Sequence, residues 1–224
     1  MKHPIEILEH YWNFSKFKPQ QEAIIEAVLA NEDCIALLPT GGGKSICFQI
    51  PALIREGICI VVSPLIALMQ DQVNTLNAKG IKAMALTSGF SFEDIDRMLD
   101  NCIYGNYKFL YLSPERLQQD LVQQRIKQMN VNLIAVDEAH CISQWGHDFR
   151  PAYREIKLLR TLHPSVNVIG LTASATSKVI EDISIQLDCI DPQIFQTSFR
   201  RSNLAYLSLE CEDKLFKTVQ VLKK

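Results

Sequence analysis

Six short apolar runs constrain this chain more than any other feature: CIALL (34 to 38), ICIVVS (58 to 63), KAMALT (82 to 87), KFLYLS (108 to 113), NLIAVD (132 to 137) and NVIGLT (167 to 172). They are continuous rather than alternating, which is the pattern of strands buried on both faces, as in a parallel sheet covered by helices. Parallel strands need long crossovers. Stretches of helical period supply them at Pro64 to Ala78, Ser91 to Ile103, Glu115 to Met129 and Arg154 to Leu162, with CFQIPALI following the first run. The expected class is therefore α/β, a mostly parallel central sheet with helices on both faces.

The 224 residues are long for one domain and short for two. Residues 1 to 32 read as two helices ahead of the first strand, the second carrying an apolar stripe through Ile24, Ala27 and Val28. Residues 33 to 198 hold the sheet. From 199 to 224 the pattern loosens to an extended stretch near Leu204 to Leu209 and a closing helix, read as the start of a connection to something larger. Seven cysteines, an odd number with no Cys-x-x-Cys pair, argue against a disulfide framework and a zinc ribbon. No run is long enough to span a membrane, and the acids in MKHPIEILEHYW do not suit a leader peptide, so a cytoplasmic protein without a membrane partner is expected. A net charge of -2 confines any nucleic-acid site to a local patch.

LLPTGGGKS leaves the first strand and enters a helix. Glycines at 41, 42 and 43 let successive amides turn toward an anion, and the helix start adds its positive dipole end. Thr40, Gly41, Gly42, Gly43, Lys44 and Ser45 form the candidate phosphate loop, with Lys44 reaching the outer phosphates and Ser45 ligating magnesium. A strict match would place glycine where Leu38 stands, so a variant loop is expected. Asp137 and Glu138 close the fifth run. Asp137 is placed to hold magnesium, and Glu138 to orient and deprotonate an attacking water. Together they point to nucleoside triphosphate hydrolysis. A small-molecule kinase, a GTPase, an ATPase of the RNA helicase type, which DEAH alone would also fit, and a nucleic-acid-binding module without turnover stay open on these residues alone.

After the acids the chain continues AHCISQWGHDFRP, with Trp145 and Phe149 isolated among polar residues. Exposed aromatics can stack on unpaired bases, while Gln144, His147 and Arg150 add polar and positive contacts. Trp145 folded back as satellite core is the plain alternative. A metal site from His140, Cys141, His147 and Asp148 is disfavoured, because adjacent ligands are followed by an irregular gap.

LPTGGGKS, the DEAH tetrapeptide and LTASAT (171 to 176) resemble motifs I, II and III of superfamily two helicases, and CISQWGHDFRP resembles the aromatic-rich loop of the RecQ DNA helicases. The likeness runs from about Leu8 to Tyr206. It implies a RecA-like P-loop NTPase lobe of a 3′ to 5′ DNA helicase using ATP and Mg2+, acting on single-stranded and partly duplex DNA in recombination and repair, near the bacterial nucleoid. It also implies an adenine-recognition motif in WNFSKFKPQQEAI, with Phe14 stacking and Lys18 and Gln21 in polar contact; the family usually has arginine at Lys18 and glycine at Asn13. VSPLIALMQDQ and YLSPERL resemble its DNA-backbone motifs, and Thr172, Ser174 and Thr176 would link the acids to the DNA surface. FRRSNLAY (199 to 206) resembles the strand leading to a second lobe. A first lobe alone is expected to be monomeric, to hydrolyse ATP feebly without the second lobe's arginine finger and not to unwind DNA.

Overall fold

In the computed structural model, which describes residues 3–197, 204, 205, 208 and 210–222, the apolar runs become strands of one sheet. The strands are β1 (Cys34–Leu37), β2 (Ile58–Val62), β3 (Ala83–Leu86), β4 (Phe109–Leu112), β5 (Val131–Val136), β6 (Val168–Thr172) and β7 (Gln193–Gln196). They lie in the order β3-β4-β2-β5-β6-β1-β7, and every recorded pair is parallel. The expected α/β class is borne out, with a fully parallel sheet.

Side chains alternate across a strand, so a sheet covered on both faces sends alternate residues into two cores. Ile58, Ile60 and Val62 of β2, with Ile134 and Val136 of β5, enter one core. Cys59 and Val61, with Leu133 and Ala135, enter the other. The first core is closed by α5 (Phe92–Tyr104), α6 (Asp120–Gln128), α7 (Lys157–Leu162) and α8 (Ser177–Gln186), the second by α2 (Gln21–Leu29), α3 (Ile46–Ile54) and α4 (Ile66–Ala78). Ile7 and Leu8 of α1 (Pro4–Trp12) pack with Ile25, Ile46 and Ile50 in a third cluster, so the N-terminal helices lean on α3. Pro51 sits inside α3, where a proline costs about 3 kcal/mol. The helix persists because Ile46 to Ala52 are all buried.

Several sequence-based boundaries shift. The helix expected over Glu115 to Met129 is broken into a 3-10 turn, Pro114–Gln118, followed by α6. Likewise a 3-10 turn, Pro151–Ile156, precedes α7. The strand β7 was not expected: QIFQ is mostly exposed and polar at its ends, and its pairing with β1 comes from backbone groups. The closing helix is α9 (Lys214–Leu222). The extended stretch near Leu204 to Leu209 and the string 199 to 206 fall largely outside the described residues. Five of the seven cysteines are buried and all are free. No helix among the described residues is long and apolar enough to cross a membrane.

Candidate functional site

The loop after β1 begins later than the motif suggested. Leu38 is buried, and its N–H donates to the Thr172 carbonyl at 3.1 Å, so it extends the strand and the loop opens after it. Thr40 and Gly41 are exposed, and Gly42 to Ser45 are half-buried. Gly41 and Gly43 both have φ of +77°, left-handed values that glycine takes without the usual steric cost. A Cβ on Gly43 would also lie 2.4 Å from Gln21 Nε2, so any larger residue would displace that amide from its bond to the loop. Among the described residues no group accepts from the N–H of Gly43, Lys44 or Ser45. Free amides at a helix start form an anion cradle.

The acids converge on this cradle. Lys44 Nζ lies 3.4 Å from Glu138 Oε1, across 94 residues of sequence. Glu138 adopts φ 48° and ψ 46°, a left-handed conformation that costs a non-glycine residue about 1 to 2 kcal/mol. That turn re-aims its carboxylate. Oε2 stands 3.3 Å from His140 Nδ1, which is also 2.9 Å from Thr172 Oγ1 at the end of β6. Asp137 is fixed through its backbone, its N–H donating to the Val62 carbonyl at 2.8 Å and its carbonyl accepting from Tyr153 Oη at 3.0 Å. Tyr153, fully buried, is a positioning residue that the sequence reading missed. Its place 16 residues beyond Asp137 gives no local signal.

The two carboxylates differ electrostatically. Burial and the neighbouring Glu138 charge raise the Asp137 carboxyl above its ordinary range, against the opposing pull of Lys44. Glu138 is held below its range by the hydrogen bond from His140 and then by Lys44, which outweigh its own burial. For a raised acid the sign is unfavourable: ionised Asp137 costs the folded state stability above its folded pKa, and the cost fades as pH falls through it. Asp137→Asn is therefore expected to raise the urea midpoint at neutral pH, with the gain shrinking in acid. A lower midpoint at neutral pH would contradict this account.

Phe14, Lys18 and Gln21 meet beside the loop. A hollow of about 580 Å³ is lined by Leu8, Phe14, Phe17, Pro19, Gln21 and Ile46, among others. Phe14 is 55% exposed and Gln21 only 3%. Gln21 Nε2 donates to the Gly43 carbonyl at 3.0 Å, while its Oε1 accepts from the Lys18 N–H at 2.9 Å. Lys18 Nζ donates to the Gly41 carbonyl at 2.7 Å. Asn13 ends α1 at φ 58°, the conformation in which asparagine substitutes best for glycine.

The aromatic loop presents a different surface. Trp145 is 63% exposed, so it has not folded back as core, and Lys178 Nζ lies 3.1 Å from its ring centroid. Trp145 and His147 line an open groove of about 480 Å³ with Ser174, Ala175 and Thr176. Gln144 and His147 are exposed, and Phe149 and Arg150 are half-buried. Arg154 covers the Phe149 ring at 5.2 Å, and Arg150 Nη1 donates to the Pro64 carbonyl at 3.3 Å. The His147 ring stacks on His140 at 4.5 Å. From groove to acids one path runs through this histidine pair, and another through Ser174 and Thr172 to His140.

A family model described as DEAD/DEAH box helicase matches residues 18–183. The chain belongs to the DEAD/DEAH box helicase family. This DEAD/DEAH box chain is 45% identical to ATP-dependent DNA helicase RecQ of Bacillus subtilis, over 93% of itself and 36% of that protein. It is 44% identical to the mouse bifunctional 3′-5′ exonuclease/ATP-dependent helicase WRN, over 89% of itself and 14% of that protein. It therefore spans about a third of the first relative's length and much less of the second's. Its fold is shared with the Hef helicase domain of Pyrococcus furiosus, with a TM-score of 0.60 and 24% identity over 79% of this chain and 37% of that one.

Proposed function

We propose that this DEAD/DEAH box chain is the first motor lobe of a RecQ-type, 3′ to 5′ DNA helicase, binding ATP with Mg2+ and working with a second lobe on single-stranded and partly duplex DNA in recombination and repair. In this reading residues 1–32 carry the adenine motif, 33–198 the motor lobe and 199–224 the start of the connection. One observation carries it most directly: the approach of Lys44 to Glu138 beside a cradle of free amides.

The chain's own residues divide the work. The amides of Gly43 to Ser45 and the Lys44 ammonium take the phosphates, and Gly41, Gly42 and Thr40 shape the loop. Ser45 and Asp137 would hold Mg2+, and the donor set fits a hard cation, a hydroxyl and a carboxylate oxygen with the Ser63 hydroxyl beside Asp137. The ion would neutralise charge building on the phosphate oxygens. Glu138, kept ionised by His140 and Lys44, orients the water and accepts its proton. On Gln21, with Nε2 and one Oε1 lone pair engaged, a second lone pair remains for the adenine amino group; guanine would meet it with a carbonyl. Phe14 stacks on the base. Trp145 and Phe149 stack on unpaired bases, supported by Gln144, His147 and Arg150.

The test is the ATPase rate of the intact protein with and without single-stranded DNA. Trp145→Ala is expected to lose about 1 to 3 kcal/mol of single-strand affinity, the contribution of one base stack. The DNA stimulation should fall with it. A Trp145→Ala protein that binds and responds to DNA as the parent does would remove the loop from this role.

A further inference from the structure

Adjacent ligands followed by an irregular gap disfavour a metal site from His140, Cys141, His147 and Asp148, yet the fold gathers three of the four, His140, Cys141 and Asp148. Cys141 Sγ lies 3.7 Å from His140 Nε2 and 3.8 Å from Asp148 Oδ2, and all three donor atoms are within 4.8 Å of one another. With Zn–S near 2.3 Å and Zn–N or Zn–O near 2.0 to 2.1 Å, the edge of a tetrahedral site is about 3.5 Å. Small side-chain movements close the difference.

The tautomer of His140 is also set for ligation. Thr172 Oγ1 spends its proton on the Ser174 carbonyl at 3.2 Å, so toward His140 it accepts. The Nδ1 proton is therefore donated to Thr172 or Glu138, which leaves the Nε2 lone pair facing Cys141. A ligating histidine whose other nitrogen is held by a carboxylate or hydroxyl is the usual arrangement around zinc. Asp148 is 52% exposed on the solvent side, where among the described residues Arg150, at 3.6 Å, competes for its charge.

We propose that His140, Cys141 and Asp148 form a binding site for a thiophilic divalent cation of the zinc class, with the fourth position left to water. Binding forms the metal–sulfur bond as the Cys141 thiol releases its proton to solvent, with no change of oxidation state. The ion ties the turn after the acids, Ala139–Ile142, to the far end of the aromatic loop. It would thereby hold Trp145 and the His140–His147 stack in the arrangement described here, braking any movement passed from the groove to Glu138.

Cobalt(II) is the probe, because thiolate ligation gives it a charge-transfer band that can be read without turnover. The 224-residue chain is expected to bind one equivalent with that band, to release it to Zn2+, and to keep it in excess Mg2+, which disfavours sulfur. Cys141→Ser should abolish the band, with folding checked by circular dichroism. Asp148→Asn, a solvent-side change that leaves the core intact, should weaken cobalt binding at least about tenfold, the loss typical of removing even an outer partner of a metal site. No band in the parent, a band surviving in Cys141→Ser, or unchanged affinity in Asp148→Asn would each overturn the proposal.

Discussion

Glu138→Gln is expected to slow ATP turnover of the intact protein by about 10²- to 10⁴-fold, the usual contribution of a positioned general base. Glutamine keeps the shape of the side chain but cannot take a proton from water. Nucleotide affinity should change far less, because the cradle amides and Lys44 are untouched. Lys44 loses only a contact at 3.4 Å. The pH dependence follows from the direction of the shift. A depressed acid stays ionised below the ordinary glutamate range, so its support of catalysis and of stability is present above that range and is lost as pH falls through the folded value. The acid limb of turnover should therefore move upward in His140→Ala, whose hydrogen bond is the main cause of the depression. Single-turnover measurements would decide; full turnover in Glu138→Gln would mean that another group takes the proton.

Asp33→Ala is expected to cost about 3 to 5 kcal/mol, the loss typical when one partner of a buried ion pair is removed. Both Asp33 oxygens meet Arg160, at 3.0 and 2.7 Å, and they also accept from the N–H groups of Val168 and Ile190 at 2.8 Å each. The carboxylate therefore joins the starts of β1 and β6 to the segment leading into β7. Truncation strands a buried guanidinium and two backbone donors together. Against a total stability of about 5 to 15 kcal/mol this is a large share. Urea unfolding should show a lower midpoint at an unchanged slope. Adding Arg160→Met should recover part of the loss, because the charge is no longer left unpaired. A midpoint within experimental error of the parent would show the pair to be dispensable.

How legible these features were depends on the range over which each is specified. The six core strands could be read because burial on both faces writes itself into consecutive residues. The phosphate loop could be read because its glycines and lysine act within one turn. β7 could not, since an exposed edge strand needs no apolar run and takes its place from backbone bonding to β1. Leu38 could be read as strand rather than loop because it ends the run CIALL, and the structure gives the reason its position departs from the strict motif: its N–H pairs with the Thr172 carbonyl.

The chain's local order thus determined the parallel sheet, the glycine cradle, the adjacent acids and the resemblance to helicase motifs, all of them properties of neighbouring residues. Only the tertiary structure decided how those parts face one another. The Lys44 to Glu138 approach spans 94 residues and the Asp33 to Arg160 pair 127. The left-handed turn at Glu138 and the gathering of His140, Cys141 and Asp148 depend on how the loop folds back. Distances of a few ångströms between remote side chains come from strand order and packing, which no window of sequence contains.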